Sequence, residues 1–156
     1  MTEDFANFLV RPAEISDSQR IWEIRNSPMV RQHSKNQDEI KFSDHQNWFQ
    51  QQYFGNTGNL CFVLANAEGI VIGYCRFDFN QPNKNYRVSI ALDPQYQGRG
   101  LGHWLLSQSL KNIPSQSIVL AEIKKTNPAS LKLFEKNNFK TYQSDEFNFY
   151  LKYVGE

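Results

Sequence analysis

The stretch Ile90-Ala91-Leu92-Asp93-Pro94-Gln95-Tyr96-Gln97-Gly98-Arg99-Gly100-Leu101-Gly102 decides how this chain is read. It begins as a strand, with Tyr86, Val88, Ile90 and Leu92 on one face and Arg87, Ser89 and Ala91 on the other. That strand stops at Asp93-Pro94. Three alternating glycines follow, and an apolar helix starts at once, with Leu106, Leu110 and Ile113 on one side and Pro114 as its stop. Glycine adopts backbone torsions closed to other residues and leaves its amide N–H uncovered. Several such amides at a helix N-terminus suit a phosphate group. A bare GxGxG also fits a tight turn with no ligand. The phosphate loop of nucleotide hydrolases needs a Gly-Lys-Ser/Thr ending, which is absent here. The dinucleotide fingerprint needs an early βαβ unit, whereas this turn follows three or four strands that include hairpins.

Working outward, Phe8-Leu9-Val10 reads as a first strand. Ser16-Asp17 caps a helix running to about Asn26, with Pro28 beyond it as a stop. Residues 29–42 are polar and irregular. Ser43-x-x-Gln46 has the form of a capping box before a helix through Trp48, Phe49 and Tyr53. Strands are expected over 60–65, 70–80 and 86–92. In the second of these, Cys75, Phe77 and Phe79 alternate with Tyr74, Arg76 and Asp78. A strand over 117–123, a helix opening at Asn127-Pro128 and a final strand over 147–154 complete the order β-α-α-β-β-β-α-β-α-β. The expected fold is mixed α/β, one domain over 1–156, with one central twisted sheet and helices on both faces.

Composition limits the function classes. Among 156 residues, 40% are apolar and 14% aromatic, enough to fill a core. The 17 basic and 16 acidic side chains leave a formal charge of +1, without the concentrated basic face that nucleic acid requires. Cys61 and Cys75 lie among apolar residues and read as buried thiols of a reducing compartment, with a disulfide as the alternative. No Cys/His cluster offers a metal site, and no apolar run approaches the ~20 residues of a membrane span. The start of the chain shows neither a basic nor an apolar leader segment, so a cytoplasmic protein is expected.

Gln97-Gly98-Arg99-Gly100-Leu101-Gly102 resembles the Gln/Arg-x-x-Gly-x-Gly/Ala pyrophosphate motif of the GNAT superfamily of N-acetyltransferases. The resemblance takes in the Asp93-Pro94 exit and extends to Asn127-Pro128-Ala129-Ser130 and the helix running to Phe139. It implies the GNAT acyl-CoA fold, acetyl-CoA as acetyl donor with no metal, and an amine acceptor. By the same resemblance, acetyl-CoA would be held by the backbone of Ile90, Ala91 and Leu92. Residues Gln97 through His103 (Gln97, Gly98, Arg99, Gly100, Leu101, Gly102, His103), Asn127 and Ser130 would also hold it.

Glu122, a carboxylate among Val119, Leu120, Ala121 and Ile123, stands where alanine N-acetyltransferases of the family carry a proton acceptor. Partial burial would suit it to that role; an exposed edge charge is the alternative. Phe134 departs from the family, which often has a tyrosine there to protonate the leaving thiolate. Tyr74, Tyr142 and Ser89 are open substitutes.

The segment Arg25-Asn26-Ser27-Pro28-Met29-Val30-Arg31, with His45 and Trp48-Phe49, resembles the nucleotide-sugar amine N-acetyltransferases of bacterial sialic-acid-like sugar pathways. That would place Arg25 or Arg31 on a diphosphate and Trp48, Phe49 or Tyr53 on a base. Equally, Trp48 fits a core position and the arginines a solvated surface. The expected partners are a small-molecule amine, nucleotide-linked by this resemblance, and a second copy of the chain. Protein N-terminal acetylation, an acyl-CoA-binding module without turnover and a nucleotide-binding regulatory domain are the competing readings.

Overall fold

The computed structural model describes residues 5–155. Its centre is a seven-stranded sheet in the order β1-β2-β3-β4-β5-β7-β6. The strands are β1 (Leu9–Pro12), β2 (Leu60–Ala65), β3 (Val71–Asn80), β4 (Asn85–Leu92), β5 (Ile118–Lys124), β6 (Lys140–Ser144) and β7 (Asn148–Val154). All neighbours pair antiparallel except β4 and β5, which run parallel. Three helices precede β2: α1 (Ser18–Arg25), α2 (Pro28–Gln32) and α3 (Phe42–Phe54). Helix α4 (Leu101–Leu110) joins β4 to β5, and α5 (Pro128–Lys136) follows β5.

Strand alternation divides the core in two. Phe62, Leu64, Cys75, Phe77, Val88, Val119, Ala121 and Leu151 face α4 and α5, where Leu101, Leu105, Leu106 and Phe134 meet them. Cys61, Val63, Val71 and Tyr74 face the other way, against Ile21 and Ile24 of α1 and Phe49 of α3. Period-two burial on β5, where Val119, Ala121 and Ile123 are buried, leaves Leu120, Glu122 and Lys124 on the α1–α3 face. Both cysteines are free and buried, one in each core.

Several local expectations are corrected. Pro28 does not merely stop α1; it opens α2, because a proline costs nothing at a first helical position, where the N–H has no partner. Ser43 is not a cap: α3 starts one residue earlier, with Lys41 as N-cap and no side-chain cap bond. Asp17 stands at the N-cap of α1, as expected, but makes no side-chain cap bond. Its carboxylate accepts from Arg11 at 2.8 and 2.9 Å and from the Glu14 amide at 2.7 Å. Helix α4 ends at Leu110, three residues short of Ile113, and strand β6 was not expected. All five β6 residues are exposed, so no apolar alternation marks them. Pairing with β7 makes the segment a strand.

Leu105 is fully buried between α4 and the sheet. Leu105→Ala is expected to lower unfolding free energy by about 2–5 kcal/mol, read from urea denaturation.

Candidate functional site

The parallel pair β4–β5 is the one place where the sheet opens. Only Tyr86↔Val119 and Arg87↔Leu120 are in register, and beyond them the strands part. Residues 88–92 of β4 keep their partners on β3, with Gly73↔Leu92 as the last pair. Their groups facing β5 have no ladder partner, which leaves main-chain donors and acceptors bare inside a fold that otherwise pairs them.

Four features converge at the parted end. Asp93, at the exit of β4, accepts from the Gln95 amide at 3.0 Å and pairs with Arg20 of α1 at 3.0 Å. Arg20 also donates to the Val71 carbonyl at 2.9 Å, so α1 clamps the strand exit. Gly98 and Gly100 follow with φ of +80° and +79°, the left-handed conformation that only glycine takes at little cost. A Cβ built on Gly98 meets nothing within 4 Å, so the turn has open space outside it. Gly102 has another purpose. A Cβ there would lie 2.6 Å from Leu133 Cδ1, so its absence lets α4 pack closely on α5.

The amides of the first turn of α4 therefore emerge beside the bare edge of β4. Gln97 Nε2 reaches back to the Leu92 carbonyl at 3.4 Å, and Arg99 lies near the rings of Phe8 and Tyr96. His103 is exposed on α4, and Asn137 is 2.9 Å from its Nδ1. The Asn137 amide nitrogen donates there and to the Leu133 carbonyl at 3.0 Å. Across the parting, Asn127 caps α5 by accepting from the Ser130 amide at 3.2 Å. The residues expected from sequence between 90 and 103, together with Asn127 and Ser130, therefore sit on the elements that flank one gap.

Glu122 lies on the α1–α3 face of β5, with 26% of its side chain exposed. It is not isolated among apolar neighbours. Arg87 of β4 donates to it at 2.9 Å, just where the strands begin to part, and Tyr150 stands beside it on β7. Lys124, two residues on, donates to the carbonyls of Gln32 and Ser34, which ties the end of α2 over this face.

The sequence-predicted acceptor residues divide. Arg25 stacks over Trp48, with its guanidinium 4.3 Å from the ring centre. Trp48 is half-buried, and Arg76 approaches the same ring at 5.2 Å. Arg31 is taken up elsewhere: it donates to the carbonyls of Asn26 and Gln37 and lies 3.8 Å from Glu39. The sequence reading passed over Arg76 and Asp78 as the polar side of a strand. Arg76 bonds to Asp78 and to the Tyr53 hydroxyl, and burial, with the neighbouring Asp78, raises the Tyr53 pKa above its ordinary value. The alternation that marked them as facing away from the core was the available signal.

Phe134 is core, 3% exposed and packed edge-on against Phe139. Of the substitute donors, Tyr142 lies on β6, separated from β4 by β5 and β7, while Tyr74 and Ser89 share the face that carries Glu122. Among the described residues there is no cluster of metal-ligating side chains, and no helix is long and apolar enough to cross a membrane.

Comparison with known proteins gives this architecture a lineage. The family model described as "Acetyltransferase (GNAT) family" matches residues 19–139. A Bacillus subtilis (strain 168) protein named "Putative phosphinothricin acetyltransferase YwnH" is 32% identical over 138 residues, covering 83% of this chain and 82% of its own. A GNAT superfamily phosphinothricin acetyltransferase from Sinorhizobium meliloti, solved with AcCoA, superposes with a TM-score of 0.82 at 18% identity. It covers 96% of this chain and 89% of its own. Spermidine N-acetyltransferase from Vibrio cholerae, solved with CoA and spermine, superposes at 0.80 with 17% identity, over 96% of both chains. None of these names carries the nucleotide-linked amino sugar that the sequence suggested.

His45 of α3 is fully buried beneath this face. Burial, reinforced by the Arg25 charge, pushes its pKa down to about 4. Arg25 Nη1 is 3.3 Å from its Nδ1, which makes that nitrogen the acceptor of a neutral ring. The unfolded chain takes up this proton below about 6.5, while the fold refuses it until about 4. The stability this creates is present above pH 6.5 and is lost as the pH falls toward 4. The loss is expected to be on the order of 2–3 kcal/mol. Urea midpoints at pH 7 and pH 4.5 should show it in the wild type, and His45→Gln should lack this component.

Proposed function

The chain belongs to the acetyltransferase (GNAT) family and is an acetyl-CoA-dependent N-acetyltransferase, and we propose that its acceptor is a small-molecule primary amine that enters from the α1–α3 face. The observation that carries this is the parting of β4 and β5, with bare backbone on one side and Glu122 on the other.

The residues present fit the donor. Amides of the α4 first turn, opened by Gly98 and Gly100, suit the pyrophosphate, and the free edge of residues 90–92 suits the extended acyl arm. Bound there, the thioester supplies the acetyl group. The protein then needs to hold the amine against that edge and take its proton. Main-chain N–H groups of Ile90 and Leu92 face the parting and are the donors available to a developing oxyanion, while that of Ala91 faces β3. Glu122 is the carboxylate on the open face beside them, and it is the proposed proton acceptor, directly or through one water. Its partner Arg87 orients it and would have to yield as an ammonium group arrives. With Phe134 in the core, Tyr74 and Ser89 remain as candidate hydroxyls on the face that carries Glu122.

The nucleotide-linked amino sugar is the narrower form of this proposal. It rests on Arg25 and Trp48, because Arg31 is held by backbone carbonyls.

Two outcomes check the assignment. Glu122→Gln is expected to lower kcat by about 10²–10⁴-fold with KM for acetyl-CoA unchanged, measured by thiol release. Unaltered turnover would remove Glu122 from the reaction. Gly98→Val puts a side chain over the open amides at a positive φ. It should raise KM for acetyl-CoA at least about tenfold, equivalent to about 1.4 kcal/mol of lost binding.

A further inference from the structure

The floor of the acceptor side carries more positive charge than the sheet neutralises. Arg76 of β3 is answered by Asp78, which also accepts from the Tyr53 hydroxyl. Arg87 of β4 is answered by Glu122. Arg25 of α1 makes no ion pair with any described residue. Its one side-chain hydrogen-bond contact is His45 Nδ1, on a neutral ring. Lys124 is held by two carbonyls and brings no anion with it. Arg76 Nε is buried and has no acceptor. Four cationic side chains on this face therefore meet two carboxylates, and the two without a carboxylate are Arg25 and Lys124; Arg25 lies against the Trp48 ring with Arg76, whose Nε lacks an acceptor.

A half-buried guanidinium without an anion is costly. Its cation–π contact with an indole recovers only part of that cost. An anion arriving from solvent would satisfy Arg25 and the orphan Nε of Arg76 together, with charge-assisted hydrogen bonds.

The register places this charge relative to the gap. Arg76 is paired with Ser89, two residues beyond the last β4 residue that pairs with β5. Glu122 is two residues beyond the last paired residue of β5, on the same face. Arg76, its pair partner Ser89 and Glu122 thus share one face of the sheet, and Arg87 bridges the parting to Glu122 at 2.9 Å.

Resting on the acceptor side proposed above, we infer that the acceptor is a short amine bearing an anionic group, a carboxylate or a phosphate, which docks on Arg25 and Arg76 beside Trp48 while its amine faces Glu122. The same excess charge repels a second ammonium group, so polyamines are disfavoured.

Matched acceptors test this with the full-length protein and acetyl-CoA. The pairs are γ-aminobutyrate against its carboxamide and glucosamine 6-phosphate against glucosamine, with spermidine as the polycation. At least one anionic member should exceed its neutral partner about tenfold or more in kcat/KM, and which pair does so separates carboxylate from phosphate. Arg25→Met, which keeps Trp48 covered without the charge, should bring that ratio within threefold through KM for the amine, with KM for acetyl-CoA unchanged. Arg25→Lys should retain most of the ratio and serves if the Met variant fails to fold. Spermidine turned over as well as the anionic amines, or a ratio untouched by Arg25→Met, overturns the inference. Calorimetry of the same pairs in the presence of CoA covers the case of no thiol release. Anion-selective binding lost in Arg25→Met would uphold the docking site while removing transfer to these amines. Absence of anion-selective binding overturns the docking site, whatever the turnover.

Discussion

The parting of β4 and β5 is the constraint on which the rest of the molecule depends. A parallel pair joined by only two registered positions is weak by itself. It holds because β3 supports β4 along its whole length and β7 supports β5 over all seven of its residues. Each strand is thus anchored on its outer side and free on its inner one. The gap costs the fold the hydrogen bonds that a closed ladder would make, and it keeps main-chain groups available to a ligand.

The two ends of the gap are kept in place by different means. At the β4 exit, the ion pair of Arg20 with Asp93 ties α1 to the start of the glycine turn. The turn needs Gly98 and Gly100 for their torsions and Gly102 for the approach of α4 to Leu133. Across the gap, the Asn127 cap fixes where α5 begins. The core beneath α4 and α5 is built from buried aliphatic and aromatic side chains. The opposite face buries aromatic and charged groups together, with Arg25, Arg76, Trp48, Tyr53 and Asp78 in mutual contact. The two faces of the sheet thus differ in character: the α4–α5 side orders the glycine turn and the first turn of α4, and the α1–α3 side presents charge.

Much of this was legible before any coordinates. The glycine spacing, the Asp-Pro exit and the Asn127-Pro128 opening report on backbone torsions and helix starts, which are local properties. Strand alternation reported which residues of β3 and β4 share a face. The failures have one physical cause, the override of local preference by tertiary partners. Strand β6 has no apolar pattern because neither of its faces is buried, and β7 alone makes it a strand. Asp17 keeps the N-cap position of α1 but makes no cap bond there, because Arg11 and the Glu14 amide take its carboxylate. Arg31 looks like a ligand residue in the sequence and proves to be a backbone tether.

The sequence by itself determined the glycine turn between β4 and α4, because a tight turn is built from consecutive residues whose torsions are encoded in place. It also determined which residues of β3 and β4 share a face. Only the tertiary structure assembled the charged α1–α3 face. That surface gathers Arg25 from α1, Trp48 from α3, Arg76 from β3 and Glu122 from β5, and charge balance is a property of the assembled set rather than of any one segment.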